Sequence, residues 1–255
     1  MLINSYKNAD SYIFPDWPAP THIGAVSTRR LSGFSKSPYD SYNFGEAVGD
    51  DPQSLIMNQQ KLQDDLALPA KPLWLRQIHS NQVICADAYV ENVQADACYS
   101  LKPKAVCVIT TADCLPILIC SQSSHTIAAI HAGWRGLHAG IIEQCVAKLP
   151  DQRDQLMCWL GPAISQTNYE VGDEVRMMFL ARYPQCENAF VYRRPGHWLA
   201  DLYLLAKGVL SASGIGAIYG GNYCTYADTA NFYSYRRDKV TGRMATLVWH
   251  RSEIT

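Results

Sequence analysis

An α+β fold, with a mixed β-sheet core or sandwich flanked by helices, is what this 255-residue sequence predicts. Some ten short β-rich runs read as strands, and four or five segments carry apolar residues at helical spacing. Strand and helix do not alternate strictly, which argues against a doubly wound parallel sheet.

The elements follow in order. "HIGAVSTR" (22–29) is the first strand. "DDPQSLIMNQQKLQDDLAL" (50–68) offers an aspartate N-cap, a proline in the first turn, and Leu55, Leu62 and Leu66 on one face of a helix. "PLWLRQIH" (72–79), "QVICADA" (82–88), "AVCVITTAD" (105–113), "LPILICS" (115–121) and "TIAAIHAG" (126–133) are the next strands. "GIIEQCVAKLP" places Ile142, Cys145, Val146 and Leu149 at helical spacing and stops at Pro150. After the strand "QLMCWLGP" (155–162) come a helix over "VGDEVRMMFLARYP" (171–184) and the strand "AFVYRR" (189–194). A helix over "WLADLYLLAKGVLSASG" (198–214) ends at Gly214 as its C-cap. "AIYGGNYCTY" (217–226) and "ATLVWH" (245–250) complete the strands. With no repeat, low-complexity tract or linker, a single domain over 1–255 is expected.

Composition narrows the function classes. A hydrophobic content of 48% supplies a core, and a net charge of -1 gives no global attraction to nucleic acid or an anionic membrane. No apolar run reaches the roughly 18 residues of a membrane span. The N-terminal stretch lacks the basic start and apolar core of a signal peptide, so a cytoplasmic location is expected. The nine cysteines contain no C-x-x-C pair, and most sit in apolar runs as small hydrophobes with reduced thiols.

Three potential metal ligands stand at the ends of strand-like runs: His79, Cys114 and His131. Imidazole nitrogen and thiolate suit zinc, and two histidines with one cysteine leave a fourth position for water or substrate. A lone histidine beside a strand is more often simply hydrogen-bonded, and positions 79, 114 and 131 form no local ligand motif, so from the residues both readings stand. Arginines recur nearby. Arg135 lies between Gly133 and Gly136 before a helix, Arg29 and Arg30 follow "GAVST", Arg76 precedes His79, and "YSYRRDKVTGRMA" carries Arg236, Arg237 and Arg243. Such groups bind phosphate or form surface ion pairs. Dinucleotide, Walker, serine-hydrolase and zinc-deaminase motifs are absent, as is any H-x-H pair.

Taken together, "VSTRRLSGFS", "YNFGEAVGDD", "WLRQIHSNQV", "TTADCLPILI", "IHAGWRGL", "LGPAI", "YEVGDEV" and "FYSYRRDKVTGRMA" resemble, in order and along almost the whole chain, the laccase-domain proteins. These are also called polyphenol oxidase or peptidoglycan editing factor proteins and are described as multifunctional purine nucleoside enzymes. Ser80 departs from the usual glycine. The resemblance implies that His79, Cys114 and His131 hold a metal, zinc with copper as the alternative. It also implies an α+β fold similar to deamidating-toxin-like cysteine hydrolases. The implied activities are phosphorolysis of adenosine, inosine, guanosine and methylthioadenosine, and deamination of adenosine.

On that reading Cys114, His131, Asp113 and Arg135 are the expected catalytic residues, Asp113 as proton shuttle and Arg135 on phosphate. Arg29, Asn43, Arg76 and Arg236 are the expected substrate contacts, and Tyr169, Phe232 and Tyr235 are candidates for stacking on a purine. The expected partners are a small-molecule nucleoside and phosphate, with no nucleic acid and no membrane, and the protein is a monomer or homodimer. Competing readings are a Cys114/His131 amide hydrolase editing cell-wall precursors, a copper-dependent phenol oxidase, and a non-enzymatic metal-binding protein. The last needs a fourth ligand from His138, His197 or Cys224.

Overall fold

The computed structural model describes residues 8–87 and 92–251. In chain order its strands are β1 (Tyr12–Ile13), β2 (Ile23–Thr28), β3 (Val83–Cys85), β4 (Ala97–Ser100), β5 (Val106–Thr111), β6 (Leu115–Ser121), β7 (Ile127–Ala132), β8 (Leu156–Leu160), β9 (Glu170–Gly172), β10 (Phe190–Arg194), β11 (His197–Ala200), β12 (Ala217–Gly220) and β13 (Met244–His250). The helices are α1 (Pro52–Leu66), α2 (Trp134–Ala139), α3 (Ile141–Lys148), α4 (Asp173–Arg182), α5 (Leu202–Ala212) and α6 (Tyr235–Asp238). The chain is α+β, with mixed and antiparallel sheets flanked by helices.

Period-two side-chain direction builds the layers. A six-stranded sheet, β12-β8-β6-β7-β4-β3, presents Leu118 and Cys120 of β6 to a four-stranded sheet, β1-β2-β13-β5, where they meet Ile109 and Val248. Leu115, Ile117 and Ile119, the alternate residues of β6, face Ile141 and Cys145 of α3 and Leu205 and Val209 of α5. The outer face of the four-stranded sheet carries Val26, Leu247 and Trp249, covered by Leu62 and Leu66 of α1 with Tyr42 and Phe44. With both faces covered, β2, β6, β7 and β13 are buried along their whole length, which explains their nearly continuous apolar sequences. Each leucine, isoleucine or valine buried this way stabilises the fold by about 1.5–3 kcal/mol. A small sheet, β10-β11-β9, lies to the side.

The caps follow the sequence in α1, where Asp51 accepts from the Ser54 N–H at 2.9 Å with Pro52 at the first helical position. Other expectations change. Residues 198–200 belong to β11, and α5 starts after Asp201, whose carboxylate accepts from the Tyr203 and Leu204 amides. Val171 and Gly172 likewise belong to β9, ahead of α4. Residues 134–139, placed before a helix by the sequence, themselves form the helix α2. The expected strand 72–79 makes only isolated bridges at Leu73 and Arg76. There the Gln77 side chain replaces a backbone ladder, taking the Thr110 N–H at 2.7 Å and donating to the Thr110 carbonyl at 2.8 Å. Ala88, the end of the expected run 82–88, lies outside the described residues.

All nine cysteines are free thiols. Burial pushes Cys120 up to about 12, so it packs as a hydrophobe. No helix among the described residues is long and apolar enough to cross a membrane.

Candidate metal centre

Three segments meet at one end of the sandwich. β5 ends in one sheet and β6 begins in the other, so residues 112–114 cross between layers. Asp113 makes that crossing with φ +90°, a backbone region that non-glycine residues avoid. Its carboxylate holds it there, accepting from Thr225 Oγ1 at 2.6 Å, Ser234 Oγ at 3.0 Å and the Arg236 N–H at 2.6 Å. The tight crossing leaves Cys114 half-buried at the mouth. His131, the penultimate residue of β7, is registered opposite Pro116. His79 arrives from the 72–80 loop with φ +59°.

Asp96 organises both histidines. It immediately precedes β4, is fully buried, and its carbonyl accepts the His131 N–H at 2.7 Å. Its Oδ1 accepts the His79 N–H at 2.9 Å and lies 2.8 Å from His131 Nδ1. Oδ2 accepts from the Ser80 N–H at 2.6 Å and its hydroxyl at 2.7 Å. An ionised carboxylate only accepts, so His131 carries its proton on Nδ1 toward Asp96 and keeps Nε2 for a ligand.

The ligand atoms of His79, Cys114 and His131 lie within 4.8 Å of one another, with Cys114 Sγ 3.8 Å from His79 Nε2. A tetrahedral ion at ordinary zinc distances sets sulfur and nitrogen about 3.6 Å apart, so this donor set fits such an ion and leaves one position open. Burial would raise the Cys114 thiol, but the imidazoles of His131 and His79 outweigh it and lower it to about 6. Burial would lower His131, but Cys114 and Asp96 raise it to about 9.

Gly133 completes the close approach. A Cβ there would stand 2.9 Å from Cys114 Sγ and 3.1 Å from His79 Cδ2. Its φ of -68° is ordinary, so space and not backbone freedom demands glycine here. The glycines around Trp134 and Arg135 therefore serve the triad's packing. At Gly136, a Cβ would meet the Ser80 carbonyl at 3.0 Å.

The other expected site residues spread out. Arg236 stacks over Tyr169 at 5.1 Å, donates to the Glu170 carbonyl and lines a cleft of about 300 Å³ with Thr167, Asn168 and Arg193. Arg135 is exposed on α2, over the Trp134 ring at 4.4 Å. Arg76 is exposed in its loop, and Arg29 donates to the Asp10 carbonyl beside β1. Arg30 pairs with Asp40, and Arg237 pairs with Asp238 while clamping the Thr225, Tyr226 and Phe232 carbonyls.

Asn43 is fully buried and bonded within the chain. Its Oδ1 accepts from the Gly45 and Arg243 amides, and its Nδ2 donates to Asp50. Phe232 is buried between the sheets, Tyr169 is buried under Arg236, and Tyr235 is 53% exposed with Lys239 and Arg243 over its ring at 5.5 and 5.9 Å. None of the expected fourth ligands joins the triad. His138 packs on Phe179, His197 pairs with Glu170, and Cys224 accepts from Ser165 and Asn168.

Sequence reasoning missed Asp96. Its signal was an acid among small and apolar residues in "ADACY", directly before a strand.

Comparison with known proteins places the chain among relatives. The family described as multi-copper polyphenol oxidoreductase laccase matches residues 24–251. A Pseudomonas aeruginosa protein named purine nucleoside phosphorylase is 46% identical over 241 residues, covering 94% of this chain and 98% of that protein. The Escherichia coli K12 protein named purine nucleoside phosphorylase YfiH is 44% identical over 239 residues, covering 93% and 98%. A crystal structure of a Neisseria meningitidis protein superposes with a TM-score of 0.92 at 40% identity, covering 95% of this chain and 100% of its own. YlmD from Geobacillus stearothermophilus superposes with a TM-score of 0.89 at 27% identity, covering 96% and 98%.

Proposed function

Because this chain belongs to the family described as multi-copper polyphenol oxidoreductase laccase, we propose that it is a zinc-dependent purine nucleoside phosphorylase that also deaminates adenosine. The observation that carries this reading is 46% identity, over 94% of the chain, to a protein named for that phosphorylase activity. Adenosine, inosine, guanosine and methylthioadenosine are the proposed substrates, and His79, Cys114 and His131 the proposed ligands. Zinc is preferred to copper because a multicopper oxidase needs several histidine-rich sites, and one three-ligand group is present among the described residues. Nine free thiols support a reducing, cytoplasmic setting.

In phosphorolysis a phosphate oxygen bonds to C1′ of the ribose as the C1′–N9 bond breaks. The electron pair leaves with the purine, which takes up the proton that phosphate gives up. When bound, the metal supplies Lewis acidity at this mouth. The chain's own groups do the rest. Asp96 fixes both imidazoles, Asp113 fixes the turn that projects Cys114, Arg135 and Arg236 offer positive charge to phosphate, and Tyr235 offers a face to the base.

The test incubates zinc-loaded protein with adenosine, with and without phosphate, beside His131→Ala. Adenine and ribose 1-phosphate formed only with phosphate, and lost in the variant, are expected; inosine in either buffer adds deamination. Adenosine left intact in both buffers overturns the reading.

One observation favours a second reading. Cys114, His131 and Asp96 stand in the order nucleophile, base and orienting acid, the arrangement of a cysteine amide hydrolase. It accords with the likeness to deamidating-toxin-like cysteine hydrolases that the sequence resemblance implies, and with cell-wall precursors as substrates. Amide cleavage by metal-free protein, blocked by thiol alkylation and by added zinc, would favour it.

A further inference from the structure

Arg243 immediately precedes β13 and has no ion-pair partner among the described residues. Met244 pairs with Thr111 across β13 and β5, so Arg243 lies alongside the turn that carries Asp113 and Cys114. The residue is pinned from three sides. Its backbone N–H donates to Asn43 Oδ1 at 2.8 Å, and Nη1 donates to the Thr241 and Gly242 carbonyls at 2.8 and 2.9 Å. Gly45 makes room for the stem, since a Cβ there would stand 2.7 Å from Arg243 Cγ.

What is left over has a defined shape. Nε and Nη2, the side edge of the guanidinium that binds an oxyanion bidentately, donate to no acceptor among the described residues. Burial lowers the guanidinium's pKa, and the nearby Asp113 charge opposes that. Asp113 cannot neutralise it by contact, because both its oxygens are turned to Thr225, Ser234 and the Arg236 amide. A half-buried cation held rigid with no carboxylate in contact gains from the arrival of an anion at its free edge. The other sequence-flagged arginines differ: Arg30 and Arg237 already face carboxylates, and Arg76 and Arg135 are exposed.

We propose that Arg243 anchors the phosphate co-substrate through its free Nε–Nη2 edge, beside the Cys114 turn, with Asn43 as its positioning residue. This rests on the phosphorylase reading and adds to it the residue that selects for an oxyanion.

The experiment uses the zinc-loaded full chain as wild type, Arg243→Met, Arg243→Lys and, as a net-charge control on α3, Lys148→Met. It measures the phosphate KM at saturating adenosine, the adenosine KM at saturating phosphate, zinc content, and the thermal shift given by inorganic phosphate without nucleoside. Arg243→Met should raise the phosphate KM at least about tenfold, and Arg243→Lys, which keeps the charge but not the fork, by less. The adenosine KM should hold, and the phosphate-induced thermal shift should vanish in Arg243→Met and survive in Lys148→Met.

An unchanged phosphate KM and thermal shift in zinc-replete Arg243→Met overturns the proposal. If that variant fails to fold, the same result in Arg243→Lys does so. If wild type leaves adenosine uncleaved, the phosphorylase reading falls and the co-substrate role with it. The thermal-shift arm then separately decides the anion site: a shift abolished by Arg243→Met supports it, and one left intact overturns it.

Discussion

Replacing Gly133 by alanine should weaken metal binding at the candidate centre while leaving the fold standing. The added Cβ would lie 2.9 Å from Cys114 Sγ and 3.1 Å from His79 Cδ2. Ordinary heavy-atom contacts start near 3.5 Å, so the two ligand side chains must retreat by about 0.5 Å. Metal–ligand distances tolerate only about 0.2 Å of error. Gly133 has φ -68° and ψ 159°, which alanine adopts freely, so the perturbation is the contact and nothing in the backbone. Overpacking of this kind costs about 1–3 kcal/mol, which predicts a zinc affinity lower by roughly 5- to 150-fold. Competition against a chromophoric chelator measures it, with metal-free thermal unfolding run alongside. Gly216→Ala is the control, since a Cβ there meets nothing within 4 Å. Gly133→Ala protein that binds zinc like wild type would refute the packing argument.

Asp96→Asn keeps the shape but sets an amide donor among groups that already donate, and should weaken zinc binding about 10- to 100-fold in the same titration; unchanged affinity would remove Asp96 from the site. In metal-free protein, thiolate absorbance near 240 nm should rise with a midpoint near pH 6, and be lost in Cys114→Ser; a midpoint near the usual 9.0 refutes the pairing. Cys114, lowered, contributes stability above 9.0 that is lost as pH falls through about 6, whereas His131, raised, contributes below 6.5 and loses it as pH rises through about 9. Between 6.5 and 9 the folded and unfolded pairs each hold one proton, so this pair adds no slope to stability against pH there, which chemical denaturation at several pH values checks. Asp96 is held down to about 2 by His131 and Ser80 against burial, so its contribution is present above 3.8 and disappears as pH falls toward 2. Asn43→Ala strands the buried Gly45 amide and the half-buried Arg243 amide and should destabilise the protein by about 2–4 kcal/mol in denaturant melts; a loss below about 1 kcal/mol would mean the loop rearranges to satisfy them.

The helices and buried strands were legible because their causes are local. Leu55, Leu62 and Leu66 mark one face of α1, and the unbroken apolar runs of β6 and β7 mark strands covered on both sides. Where a local rule had a tertiary competitor, sequence reasoning failed. The stretch 72–79 has strand composition, yet Gln77 meets the edge of β5 with its side chain. Residues 198–200 continue a helical pattern, yet they pair with Tyr192, Val191 and Phe190 in β10.

The site divides along the same line. Strand-end positions and family motifs singled out His79, Cys114 and His131, because motifs preserve residue identity along the chain. Asp96 became visible only when β4 paired with β7, which sets Ala97 opposite Ile130 and puts Asp96 within reach of His131. Arg243 differed from the other arginines only once β13 lay against β5 and Asp113 had turned its oxygens elsewhere. By itself the sequence determined that His79, Cys114 and His131 stand at the ends of strand-like runs, and where the core lies. Strand register across two sheets decided which of them face one another and which charges go unpaired, because hydrogen bonding and charge pairing depend on distances in space that residue order does not carry.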